Sequence, residues 1–151
     1  MGGYPIKIDF STREHRAIKS NFKNLLLSLK YTMPCVFCRE SFQEFCKDLP
    51  IEPYLIGRIE LMYWLYLIKD KVNEKLMSQE AECYNNEKKR LKAKYHSKKI
   101  SKLEYYNKLD AFKKETFITS KSPPFIDVLN KYESIRAVCS KKAKTCSLPK
   151  R

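Results

Sequence analysis

No glycine follows Gly57 in this 151-residue chain, and the long runs beyond it are rich in Lys, Glu and Leu. Few glycines and runs of this kind favour helices over a β-sandwich. The apolar spacing says the same. In "FSTREHRAIKSNFKNLLLSLKY", Ile18, Phe22, Leu25 and Leu29 recur at helical intervals, and Ser11 with Glu14 forms a capping box before them. Pro34 stops this first helix and suits the first turn of a second, expected from about Cys35 to Lys47. Cys38, Phe42, Phe45 and Leu49 mark the inner face of the second helix, and Pro50 and Pro53 punctuate the loop after it.

A third helix is expected from about Tyr54 to Leu76, where Leu61, Leu65, Ile68, Val72 and Leu76 form one stripe with Trp64 beside it. Such a stripe is ordinarily plain core. The stretch "EKKRLKAKYHSKKISKLEYYNKLDAFKKE" is lysine-rich, and Leu103, Tyr106, Leu109 and Phe112 give a short helix a modest stripe. A last helix restarts in "SPPFIDVLNKYESIRAVC", with Ser122 as cap and Phe125, Val128, Leu129 and Tyr132 inward, and a basic tail closes the chain without a helix. The expectation is an all-α fold, a four- to five-helix bundle. Residues 1–81 form the core helices, 82–121 a Lys-rich helical insertion, and 122–151 the closing helix and Cys-containing tail of the same domain.

No apolar run approaches the roughly 20 residues of a membrane span, and "MGGYPIKIDF" is too short and polar for a secretory signal. Ile6 stands where a myristoylation motif needs Ser or Thr. These features point to a cytoplasmic protein with no membrane partner. The formal net charge is +14, and from Lys88 to Lys121 there are 12 Lys/Arg against 3 Asp/Glu. Such a local excess is more often a solvated appendage than a reading surface. No nucleic-acid motif accompanies it, which places nucleic acid last among the partner readings.

"PCVFCRESF" puts Cys35 and Cys38 two residues apart straight after Pro34. Three readings are open. Zinc needs about four ligands; Cys35, Cys38, Cys139 and Cys146 could supply them, but the six residues between the last two are a poor spacing, and His15 and His96 form no pair. Two buried free thiols are a second reading. The third is redox: at a helix N-terminus the free N–H groups and the helix dipole stabilise the Cys35 thiolate, the nucleophile of thiol–disulfide exchange, and Cys38 is placed to resolve a mixed disulfide.

Three stretches in one order, "SLKYTMPCVFCRESFQEF", "YWLYLIKDKVNEKL" and "SPPFIDVLNKYESIRAVC", resemble the Erv/ALR-type sulfhydryl oxidases, especially those of large cytoplasmic DNA viruses. The opening "GYP" also looks like them. The resemblance covers about Gly3 to Leu76 and Ser122 to Cys146. It implies a helical bundle holding FAD, usually dimeric, acting on dithiol protein substrates with oxygen as acceptor and hydrogen peroxide as product. Cys35 and Cys38 would be the catalytic pair, with Cys38 nearer the flavin. Cys139 and Cys146 would be a relay or structural disulfide. Lys69, Asp70, Lys71, Val72 and Asn73 stand where the family has His-Asn-x-Val-Asn, so Val72 and Asn73 match, and Lys69 takes the place of the His. Trp64, Lys69, Val72, Asn73 and Leu76 are therefore the candidate cofactor-binding residues, with no metal. A chain of the viral type would work in host cytoplasm or virion. A flavin-free relative acting as a scaffold, and a basic nucleic-acid-binding protein, remain as alternatives.

Overall fold

The computed structural model describes residues 3–136, together with the backbone of 138–140 and 145–147. The fold is all-α, as the sequence indicates. Its helices are α1 (Arg13–Thr32), α2 (Val36–Asp48), α3 (Arg58–His96), α4 (Lys102–Thr116) and α5 (Phe125–Ile135), with a short 3-10 helix at Glu52–Tyr54. After α5 the chain forms two short strands, β1 (Val138–Ser140) and β2 (Thr145–Ser147). They pair antiparallel with Cys139 opposite Cys146. The side chains of Cys139 and Cys146 lie outside the described residues. No helix among the described residues is long and apolar enough to cross a membrane.

The chain divides into two compact units, one of residues 1–69 with 123–151 and one of residues 70–122. The insertion read at 82–121 falls inside the second.

In the first unit, Tyr4, Ile8, Phe42, Ile51, Leu55, Leu61, Trp64 and Ile68 form the buried core. The segment before α1 is tied to the start of α3 by backbone bonds from Ile8 N to Ile56 O (2.8 Å) and Arg58 N to Ile6 O (3.3 Å). Only glycine tolerates this approach at Gly57, because a Cβ there would sit 2.4 Å from the Ile6 carbonyl oxygen. The Tyr4 hydroxyl donates to the Leu55 carbonyl (2.9 Å), and its ring meets Phe22 edge-on. Helix α5 is held by Phe125, whose ring packs on Tyr63 and Tyr66, and by the Tyr66 hydroxyl donating to the Pro123 carbonyl.

Several expected details shift. The N-cap of α1 is Thr12, whose Oγ1 accepts from His15 N; Ser11 instead donates to Asp9, so the Ser11–Glu14 box does not form. Ile18, Phe22, Leu26 and Leu27 pack on the core while Leu25 and Leu29 are exposed. The α1 periodicity is therefore right and its facing partly wrong, since two adjacent apolar columns compete on one helix. Cys38 is exposed rather than on the inner face of α2. Tyr132 is exposed on α5, and Ser122 does not cap that helix; its Oγ accepts from Asn73 within the second unit, and the N-cap is Pro124.

Helix α3 starts at Arg58 and continues through His96. It was expected to run only from about Tyr54 to Leu76. No Gly or Pro interrupts it, and fading of the apolar stripe marks a change of buried face, not an end. Leu61, Trp64 and Ile68 are buried, Val72 and Leu76 are exposed, and Asn73 and then Leu91 are buried.

The second unit is a helical hairpin whose partners can be read pair by pair along the two arms. Asn73 meets Ser122, Glu80 meets Thr119, Tyr84 meets Phe117, and Tyr95 meets Tyr105. One residue descends as the other rises, so α4 and the segment after it run antiparallel to α3. On α4, Tyr105, Leu109 and Phe112 turn inward while Leu103 and Tyr106 are exposed, a correction to the expected stripe. Ser101 caps α4 by accepting from Glu104 N.

Candidate redox site

Helix α1 ends at Thr32, with Met33 capping it by a bond from its N–H to the Leu29 carbonyl. Pro34 then leaves Cys35 in an extended conformation as the N-cap of α2. An N-cap side chain normally accepts from a backbone N–H of the first turn. Here that acceptor is the Cys35 Sγ, which takes the Cys38 N–H at 3.3 Å. The turn is pinned from α2 by the Arg39 Nη1, which donates to the Met33 carbonyl, and by the Gln43 Nε2, which donates to the Lys30 carbonyl at 3.3 Å.

These contacts set the chemistry of Cys35. The Cys38 side chain hydrogen-bonds its sulfur, the backbone N–H groups of Cys38 and Phe37 add to that, and the Arg39 guanidinium supplies positive charge. Together they lower the Cys35 pKa below that of an ordinary thiol. Both Cys35 and Cys38 are exposed. Sequence reasoning had missed Arg39; its place four residues after Cys35, within the first turn of the helix, is the signal that could have found it. Cys46 is the contrast: burial pushes its pKa up, with Lys30 opposing. Burial thus disfavours the thiolate at Cys46, where the turn favours it at Cys35.

A pH series checks this. Alkylation of Cys35 follows the thiolate fraction, and a lowered pKa means that fraction rises at lower pH than for a free thiol. The midpoint is expected below 9.0, the ordinary value for the group. In Cys38→Ala the side-chain donor is lost and the midpoint moves back up. A midpoint at or above 9.0 in the wild-type protein contradicts the geometry.

The candidate cofactor residues are placed differently from one another. Lys69, Val72 and Leu76 are exposed along α3 at helical spacing. A cation and apolar side chains of this kind are what a ligand with a phosphate and a flat apolar ring takes. Asn73 is buried, with its Nδ2 donating to the Ser122 Oγ at 3.0 Å. Trp64 is wholly buried, its ring edge-on to Phe42 and its Nε1 donating to the Leu49 carbonyl at 2.9 Å. Those two side chains serve the fold in this structure. The apolar residues Leu25, Tyr31, Val36 and Phe37 of the α1–α2 region are exposed.

A Cys-x-x-Cys whose first sulfur caps a helix is an arrangement that suits thiol–disulfide exchange. Comparison with known families is specific on this point. The model of the Erv1 / Alr family matches residues 4–96, more than half of the chain, and the protein belongs to that family. Its members are generally sulfhydryl oxidases that bind FAD. No curated protein and no solved structure matches the chain.

Proposed function

We propose that this protein is an FAD-linked thiol oxidase that forms disulfides in protein substrates, with Cys35 and Cys38 as its catalytic pair. The observation that carries the reading is the capping geometry of Cys35, an exposed sulfur whose negative charge is stabilised by Cys38 and Arg39. In the oxidised enzyme a substrate thiolate attacks the Cys35–Cys38 bond and forms a mixed disulfide. The second substrate thiol then displaces the enzyme sulfur. The substrate gains one S–S bond and loses two protons and two electrons; Cys35 and Cys38 become two thiols. With the mixed disulfide on Cys35, Cys38 leaves first, and the N–H groups of Phe37 and Cys38 stabilise the Cys35 thiolate released when the second substrate thiol resolves it. Lys69, Val72 and Leu76 would hold the cofactor, Lys69 toward its phosphates and the other two against apolar surface. Bound FAD supplies the two-electron acceptor for the Cys35–Cys38 dithiol and the reaction with oxygen that yields hydrogen peroxide.

The tail adds a second pair. Cys139 and Cys146 are direct backbone partners in the β1–β2 register, and the sequence between them holds Lys141, Lys142 and Lys144. We place them as a relay from substrate to Cys35. The exposed apolar residues of α1 and α2 suit a homodimer contact, and we place the site of action in the cytosol, host cytoplasm or virion for a viral chain.

The test is direct. Protein purified without reductant is expected to show flavin absorbance and to convert dithiothreitol and oxygen to hydrogen peroxide. Absence of peroxide after incubation with excess FAD overturns the reading.

A further inference from the structure

The tip of the hairpin of residues 70–122 holds none of the residues assigned to the redox or cofactor site, and it carries a distinct chemistry. Eight Lys/Arg residues and no Asp or Glu lie between Glu87 and Glu104. Arg90 is paired with Glu87 at 2.6 Å. Lys92, Lys98, Lys99 and Lys102 are exposed and have no ion-pair partner among the described residues. A run of this kind is by itself a solvated surface. The tip adds aromatic rings. The Tyr95 ring lies 5.7 Å from His96 and 5.9 Å from Tyr105, and Tyr105 lies 5.2 Å from Tyr106. Tyr95 and Tyr106 are exposed.

The turn that brings them together is built in an uncommon way. Helix α3 ends in a motif where Lys98 N–H bonds the Tyr95 carbonyl (3.0 Å) and Lys99 N–H bonds the Lys94 carbonyl (2.9 Å). Lys98 takes the left-handed position, with φ 55°. Glycine is the usual residue there, because a side chain in this conformation is strained. The left-handed turn of this hairpin thus presents a cation at the tip, next to the rings.

We propose that the tip of the α3–α4 hairpin binds single-stranded nucleic acid, RNA or DNA, with Tyr95 and Tyr106 stacking on unpaired bases and Lys92, Lys98, Lys99 and Lys102 tracking the phosphates. Exposed rings interleaved with unpaired cations are the elements such a site needs. A duplex offers no free base faces to the rings. A lipid surface would need a continuous apolar face, and Leu103 is the single strongly exposed aliphatic side chain from Lys92 to Tyr106. Leu91 and Leu109 are buried.

The experiment measures fluorescence anisotropy of labelled oligo(U), oligo(dT) and a duplex of equal length with the full chain, across a salt series, alongside sedimentation with phosphatidylserine vesicles. Binding to either single strand is expected at low salt, weaker for the duplex, and falling as salt rises; the stronger of the two identifies RNA or DNA. Tyr106→Ala is expected to weaken binding roughly fivefold or more. Lys98→Gly is expected to lower the log–log salt slope by about 0.7, one phosphate contact on a single strand. Because glycine relieves the left-handed strain at residue 98, Lys98→Gly does not lose binding by unfolding. No binding to either strand at low salt, equal binding to the duplex, vesicle binding in place of oligonucleotide binding, or wild-type affinity in both variants overturns the proposal. Peroxide formation from dithiothreitol stays unchanged in both variants, which separates this proposal from the oxidase reading.

Discussion

Cys35→Ser and Cys38→Ser each reduce dithiothreitol oxidation at least about a hundredfold, since neither sulfur alone can complete a thiol–disulfide exchange. The two variants fail for different reasons. Serine is a good helix N-cap, so Cys35→Ser retains an acceptor for the Cys38 N–H and keeps the start of α2. Its loss of activity is therefore a loss of chemistry, and its melting temperature should match the wild type. Cys38→Ser removes the resolving thiol and replaces its S–H with an O–H donor. Its Cys35 is expected to remain alkylatable while turnover is lost. Cys46→Ser provides the control. The Cys46 thiol is half-buried on α2, with its ionisation disfavoured by burial, so activity should survive while stability changes slightly. If either Cys35→Ser or Cys38→Ser retained wild-type peroxide formation, the catalytic assignment would be wrong.

The helical class and the positions of α1, α2 and α5 were legible because apolar spacing and punctuation agreed: Pro34 between α1 and α2, and Pro123 and Pro124 before α5. Facing was less legible. Leu25 and Leu26 are both leucines, and only tertiary packing decides that Leu26 goes to the core. The length of α3 was hidden for another reason. Nothing stops the helix between Arg58 and His96; its buried face moves round after Ile68, so a single stripe drawn from Leu61 runs out onto exposed Val72 and Leu76. The redox pair was visible as Cys-x-x-Cys. What activates it was less so, because a sulfur acting as its own helix cap and a guanidinium four residues on are facts of geometry. Ser122 illustrates the limit in the other direction. Its place before two prolines reads as a helix cap, yet it answers a buried Asn73 from forty-nine residues away in sequence. Local rules carry no information about partners at that distance.

Trp64 carries the other large expected effect, and it separates a structural role from a cofactor role. The side chain is 0% exposed, edge-on to Phe42, and bonded through Nε1 to the Leu49 carbonyl at the end of α2. Trp64→Ala should cost about 3–5 kcal/mol, the usual range for emptying a buried aromatic site. That is a large share of the roughly 5–15 kcal/mol available to a domain, so part of the variant is expected to be unfolded at room temperature. Trp64→Phe keeps most of the apolar volume but leaves the Leu49 carbonyl without its donor, costing about 1–3 kcal/mol if that acceptor stays dry. The measurement is urea unfolding followed by far-ultraviolet circular dichroism, because both variants lose the chain's single tryptophan and with it the fluorescence signal. A core role predicts lower midpoints in the order wild type, Phe, Ala, with flavin content per folded molecule unchanged in Trp64→Phe. A cofactor role predicts the reverse, a Trp64→Phe protein of near wild-type stability that has lost its flavin. The buried ring and its bond to Leu49 make the first outcome the expected one.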